Sequence, residues 1–154
     1  MSIFVDIQKA HSIKNVPSHS LLIDWTEMAL ADYKEDVVLS VRICDEHEGK
    51  ELNSKFRKKS KASNVLSFPF ENPIGVPKEA VANYLGDIVI CAPIVEKEAI
   101  EQSKNNIAHW AHLLIHGILH LRGFTHVSED DAKEMENIER DLLLKMGFPD
   151  PYKL

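Results

Sequence analysis

The segment from Ile107 to Arg122 constrains the fold most, because a helix written on it has almost no face to give to water. Trp110, Leu113, Leu114, Ile115, Ile118 and Leu119 lie nearly all round it. Such a helix needs other elements against most of its surface, so it belongs in the core. Asn105 or Asn106 can cap its start. Gly123 ends it, since glycine takes the left-handed conformation that a helix stop requires. At 154 residues the chain can cover that helix within one domain, expected over 1–154.

The rest of the sequence supplies the cover. Residues 2–8 alternate as a strand does, with Ile3, Val5 and Ile7 on one face. Pro17-Ser18 opens an amphipathic helix through Leu21, Leu22, Trp25, Met28 and Ala29. Val37, Leu39, Val41 and Ile43 alternate as a second strand. Asp45, with Glu48 three residues on, caps a mostly polar helix to about Arg57. Asn64 to Phe68 reads as a short strand, Pro69 to Asn83 as a proline-rich loop, and Leu85 to Cys91 as a fourth strand. A helix then runs from Ala92 to about Gln102. Ser128 caps the last helix, with Asp131 placed for a capping box, and Gly147 stops it. Four strands and about five helices, the helices mostly toward the carboxyl end, predict an α+β fold on a four-stranded mixed sheet.

Composition narrows the class. Hydrophobic residues at 44% and charged residues at 27% exclude a disordered chain. No apolar run approaches the roughly 18 residues of a membrane-spanning helix. The amino terminus has no basic region before an apolar run, so no secretory signal is expected. Cys44 and Cys91 fall in apolar, strand-like runs, where two reduced and buried thiols of a cytoplasmic protein are expected. A net charge of −6 argues against coating nucleic acid through the overall field. The charges are unevenly placed, however. Lys50, Lys55, Arg57, Lys58, Lys59 and Lys61 form a basic block, and the last helix is acidic from Glu129 to Asp141. Solvated surface is the plain expectation for the acidic face and an equal alternative for the basic block.

Five of the eight histidines fall between His109 and His126. His116 and His120 are four apart, so a helix puts both on one face. Gly123 then breaks the helix, and His126 arrives three residues later. Three imidazoles brought together in this way can hold one ion with its fourth position open. At this chain's own histidine and glycine frequencies, chance produces the spacing in roughly one such sequence per thousand. That rarity favours a metal site over ordinary core histidines. His109 and His112 share a similar face upstream and are expected to support the site or fill the core.

The spacing from His116 to His126 is that of the metzincin metalloproteases, with Gly117 where those enzymes carry a glutamate base. A lost base typically costs 10²–10⁴-fold, so peptide hydrolysis is disfavoured. Zinc lowers the pKa of a bound water to about 7, which leaves less for a protein base to do. Phosphodiester hydrolysis demands charge stabilisation instead. Arg57 can clamp a phosphate, and Lys55, Lys58 and Lys59 can attract the remaining backbone.

Taken together, the chain resembles the YbeY family of single-strand-specific endoribonucleases involved in ribosomal RNA maturation. The resemblance is carried by Leu52-Asn53 with Phe56-Arg57, by Asn64-Val-Leu-Ser-Phe-Pro69, by Leu85-Gly-Asp-Ile-Val-Ile90, and above all by the histidine segment. It implies a zincin-like fold, metal ligands His116, His120 and His126, and a functional arginine at Arg57. It also implies cleavage near the 3′ end of small-subunit ribosomal RNA, with the small ribosomal subunit as partner. Two positions depart from the family pattern, where Asp is usual: Thr125 before the third histidine, and Asn64 before Val-Leu-Ser-Phe-Pro. Zinc is the expected cofactor, although three imidazoles also suit nickel or copper. A ribosome-assembly factor with a structural metal and a metzincin-like peptidase lacking its base are the alternatives.

Overall fold

A computed structural model describes residues 2–10, 13–58, 63–72, 74–77 and 83–153. Lys59 and Lys61 of the basic block lie outside them, as does part of the loop before Asn83. The elements run β1 (Ile3–Lys9), α1 (His19–Ala29), β2 (Val37–Cys44), α2 (Glu46–Arg57), β3 (Val65–Pro69), β4 (Tyr84–Cys91), α3 (Ala92–Glu101), α4 (Asn106–Leu121) and α5 (Glu129–Lys145). The sheet order is β1-β2-β4-β3. The first three strands are mutually parallel, and β3 runs antiparallel along one edge. This is the α+β architecture on a four-stranded mixed sheet that the sequence predicts.

Alternation decides what each face of the sheet buries. Leu39, Val41, Ile43, Ile88 and Ile90 meet the main core, which includes Leu22 of α1 and Trp110 and Leu114 of α4. Cys44, Leu66, Val89 and Cys91 make a smaller cluster on the other face, against Leu52 of α2. Both cysteines are free and buried there. Helix α4 packs against α1, α3, α5, β3 and β4, as its all-round apolar surface requires. Its cap is Asn105, whose side chain accepts from the Ala108 N–H at 3.1 Å. At the far end, Arg122 ties α4 to α1 by donating to the Ala29 carbonyl at 3.0 Å and to Asp32 at 2.6 Å. Among the described residues no helix is long and apolar enough to cross a membrane.

Three details differ from expectation. Strand β3 starts at Val65, because the Asn64 side chain takes the Val65 N–H at 2.6 Å. Ser128 accepts from the Asp131 N–H, but the Asp131 carboxylate accepts from Thr125 Oγ1 at 3.2 Å instead of closing the capping box. Glu139, expected among the solvated acids of α5, has 0% exposure and lies between buried Met135 and Leu143, one turn away on either side.

Candidate metal centre

Nearly every residue of α4 from His109 to Leu121 is buried, and the partly open ones are His112, His116 and His120. Spaced by four, they form a stripe. This stripe faces a cleft of about 720 Å³, closed on the other side by Arg57, Asn64, Val65, Ser67 and Pro69 of the α2 end and β3. Gly123 takes φ +98°, a conformation costly for other residues, and turns the chain back. The turn is held by the Gly123 N–H on the His120 carbonyl and the Phe124 N–H on the Leu119 carbonyl, both at 3.0 Å. It delivers His126 to the same centre. One ring nitrogen from each of His116, His120 and His126 then lies within 4.8 Å of the others.

Hydrogen bonding fixes which nitrogens face inward. His120 Nδ1 lies 3.0 Å from the Phe124 carbonyl, which can only accept, so that nitrogen carries the hydrogen. His116 Nδ1 lies 2.9 Å from Glu139 Oε1, again an acceptor. In the neutral rings this leaves both Nε2 atoms bare, and they sit 3.0 Å apart. Two lone pairs at that distance repel unless they share a cation, either a proton or a metal ion. Burial first, then the neighbouring His116, hold His120 below the ordinary imidazole pKa, in the neutral form that ligates. The donor set thus fits a divalent transition metal; three nitrogens with an open position are the ligand set of a catalytic zinc site.

At Gly117, α4 lies close against the sheet. A Cβ there would sit 3.2 Å from Ile88 and 3.3 Å from both Ser67 Oγ and Val65. Ser67 Oγ donates to the Gly117 carbonyl at 3.1 Å. A side chain in this position would need Ile88, Ser67 or Val65 to give by a few tenths of an ångström.

Arg57 reaches the cleft from the last turn of α2. Its guanidinium donates to the Ser67 carbonyl at 2.7 Å and lies over the Phe68 ring at 5.5 Å. Lys55 and Lys58 stand elsewhere. Lys58 is the left-handed cap of α2, and the Lys55 ammonium lies 5.2 Å over the exposed Phe56 ring. Neither lines the cleft. Both departures from the family pattern, Thr125 and Asn64, line the cleft, and the Asn64 amide also donates to Glu98 at 3.0 Å.

His109 and His112 take different supporting places. His109 is buried and bonded to Glu98 at 3.0 Å, and burial lowers its pKa despite that partner. His112 Nε2 lies 3.1 Å from both Glu139 Oε2 and the Tyr152 hydroxyl. Burial alone would raise the Glu139 carboxyl, but bonds from His112, His116 and Tyr152 outweigh it and take the pKa down to about 2. Glu139 and Tyr152 were not anticipated from the sequence. The available signal was position, since Met135, Glu139 and Leu143 form one helical stripe with an acid at its centre.

The family described as Endoribonuclease YbeY matches residues 4–147. Endoribonuclease YbeY of Pseudomonas putida (strain W619) is 48% identical over 149 residues, covering 96% of this chain and 92% of that one. The solution structure of TM1509 from Thermotoga maritima matches with a TM-score of 0.58 at 25% identity, over 98% of this chain and 100% of that one.

Proposed function

The chain belongs to the YbeY family of endoribonucleases, and from that premise we propose that it cuts single-stranded RNA with one zinc ion held by His116, His120 and His126. It is a hydrolase acting on RNA. The observation that carries the finer reading is the lining of the cleft. His112, His116, His120, His126 and Arg57 line it, and among the described lining residues there is no carboxylate. Such a surface accepts a phosphodiester backbone without charge repulsion.

Bound zinc supplies Lewis-acid activation of water and of a phosphoryl oxygen. The residues of the chain do the rest. His116 and His120 present neutral Nε2 atoms because their Nδ1 hydrogens are engaged behind them. Arg57 has five N–H donors, and its bond to Ser67 leaves others for the non-bridging oxygens as charge builds on them. Its stacking on Phe68 restricts the guanidinium plane. With glycine at 117, no side chain there competes for the attacking position. The same absence weighs against a peptidase.

The physiological substrate in this reading is precursor small-subunit ribosomal RNA near its 3′ end, met on the small ribosomal subunit in the cytoplasm. The test pairs a single-stranded and a duplexed RNA of that sequence, with zinc restored or chelated. Wild-type protein is expected to cut the single strand only, and only with metal. Arg57→Ala is expected to lose about 10²–10³-fold in rate, the cost of one transition-state donor set. Full cleavage by rigorously purified His116→Ala protein would end the metal-dependent reading.

A further inference from the structure

Five histidines crowd one helix and the turn after it, yet three converge. His112 is the telling exclusion. It stands one turn before His116 on the same stripe and lines the same cleft, so spacing alone does not disqualify it. What separates the two rings is a single buried carboxylate. Glu139 has 0% exposure and no Lys or Arg partner among the described residues. Its contacts are His116 Nδ1 at 2.9 Å, His112 Nε2 at 3.1 Å and the Tyr152 hydroxyl at 2.7 Å. An ionised carboxylate has only lone pairs to offer, so all three neighbours donate.

The proton count then follows. His116 donates from Nδ1, which leaves its Nε2 bare toward the cleft. His112 donates from Nε2, so the nitrogen at its far tip is spent. Its remaining nitrogen, Nδ1, is buried without a hydrogen-bond partner among the described residues. Tyr152, from the tail beyond α5, gives its one hydrogen to Glu139 and presents its oxygen to His112.

We propose that Glu139, braced by Tyr152, is a positioning residue that sorts the histidines of α4 into ligand and non-ligand by holding His116 and His112 in opposite tautomers. This rests on the metal site of the preceding section, but its first consequence can be read without metal or RNA. In metal-free wild-type protein near pH 8, long-range ¹H–¹⁵N correlation spectra of ¹⁵N-histidine are expected to show His116 protonated on Nδ1 and His112 on Nε2. Finding His116 mainly as the Nε2–H form, or both rings in the same tautomer, would overturn the proposal.

The second consequence is affinity. Glu139→Gln keeps the shape and halves the acceptor capacity, and it is expected to weaken Zn²⁺ binding by about 10–100-fold in competition with a chromophoric chelator. Tyr152→Phe removes one hydroxyl and is expected to cost less, with the His116 tautomer retained. His112→Gln is expected to leave the stoichiometry at one Zn²⁺ per chain. A folded Glu139→Gln protein that binds Zn²⁺ within twofold of wild type would sink the idea. Should that variant fail to fold by circular dichroism, the wild-type tautomers and Tyr152→Phe decide: a Tyr152→Phe protein with a smaller loss of affinity and the His116 tautomer retained supports it, and one with wild-type affinity and scrambled tautomers refutes it. Correct tautomers in a wild-type protein that takes up no Zn²⁺ would remove the metal site while leaving Glu139's sorting of protons in place.

Discussion

His116 and His126 meet at one centre but are held there in opposite ways. His116 stands on a helix packed on several sides, with Glu139 bonded behind its ring. His126 is exposed, lies on the turn after α4, and has ring contacts with His116 and His120 but no hydrogen bond among the described residues. A helix supplies spacing as a by-product of its backbone bonds, whereas a turn supplies position only as far as its own few bonds hold. The two sides are joined through His120, whose Nδ1–H grips the Phe124 carbonyl two residues before His126. The rigid side of the site therefore templates the loose one.

That asymmetry can be broken from either side, and the helical side is expected to cost most. If about 10–16 kcal/mol of zinc binding is shared among the three ligands, each carries on the order of 3–5 kcal/mol, or about 10²–10⁴-fold in affinity. His116→Ala is expected at the upper end, because it also strips Glu139 of a donor. His126→Ala is expected at the lower end, since water can take over an exposed position. Chelator competition with Zn²⁺ checks the order. Equal losses would mean that the turn is as well held as the helix.

Next in size is the packing beneath the stripe. Gly117→Ala places a methyl 3.2–3.3 Å from Ile88, Ser67 and Val65, and overpacking of this kind typically costs about 1–3 kcal/mol. A fall in melting temperature of several degrees is expected, at about 2–4 °C per kcal/mol for a chain of this size. Unchanged melting would show that β3 yields more easily than its bonds to α4 imply.

Gly123→Ala probes the loop side. No atom lies within 4 Å of a Cβ there, so the cost is the φ of +98° alone, about 1 kcal/mol. Metal affinity is expected to fall severalfold while the helix content by circular dichroism stays constant. A loss as large as that of His126→Ala would mean that the turn cannot adapt at all.

The smallest expected effect sits at the opposite end of α4, away from the centre. Burial holds His109 below the ordinary value of 6.5, so the unfolded chain binds its proton first as pH falls. Its stabilising contribution is complete above about pH 6.5 and declines below it. Urea titrations at several pH values should show wild type losing stability relative to His109→Gln as the pH drops below that point. Parallel curves would contradict the direction of the shift.

Much of this was legible before any coordinates. Periodicity of two and of 3.6 located all four strands and five helices to within a residue or two, because the solvent boundary writes those periods directly into residue type. Ser18, Asp45, Asn105 and Ser128 all cap as the sequence suggests, since a cap is a bond across three residues. The His116, His120, Gly123, His126 spacing was readable for the same local reason. What no window of sequence contains is contact between distant segments. Glu139 looked like one more surface acid, and only the docking of α5 on α4 made it the partner of two histidines. Tyr152 lies 40 residues from His112, Ser67 lies 50 from Gly117, and Arg57 reaches a cleft whose other wall is built over fifty residues later. Sequence determined the elements and the metal spacing because both depend on neighbours along the chain. Tertiary structure alone decided which acid is buried, which histidine is spent and which cation faces the cleft, because burial and hydrogen-bond direction are set by surfaces that meet only after folding.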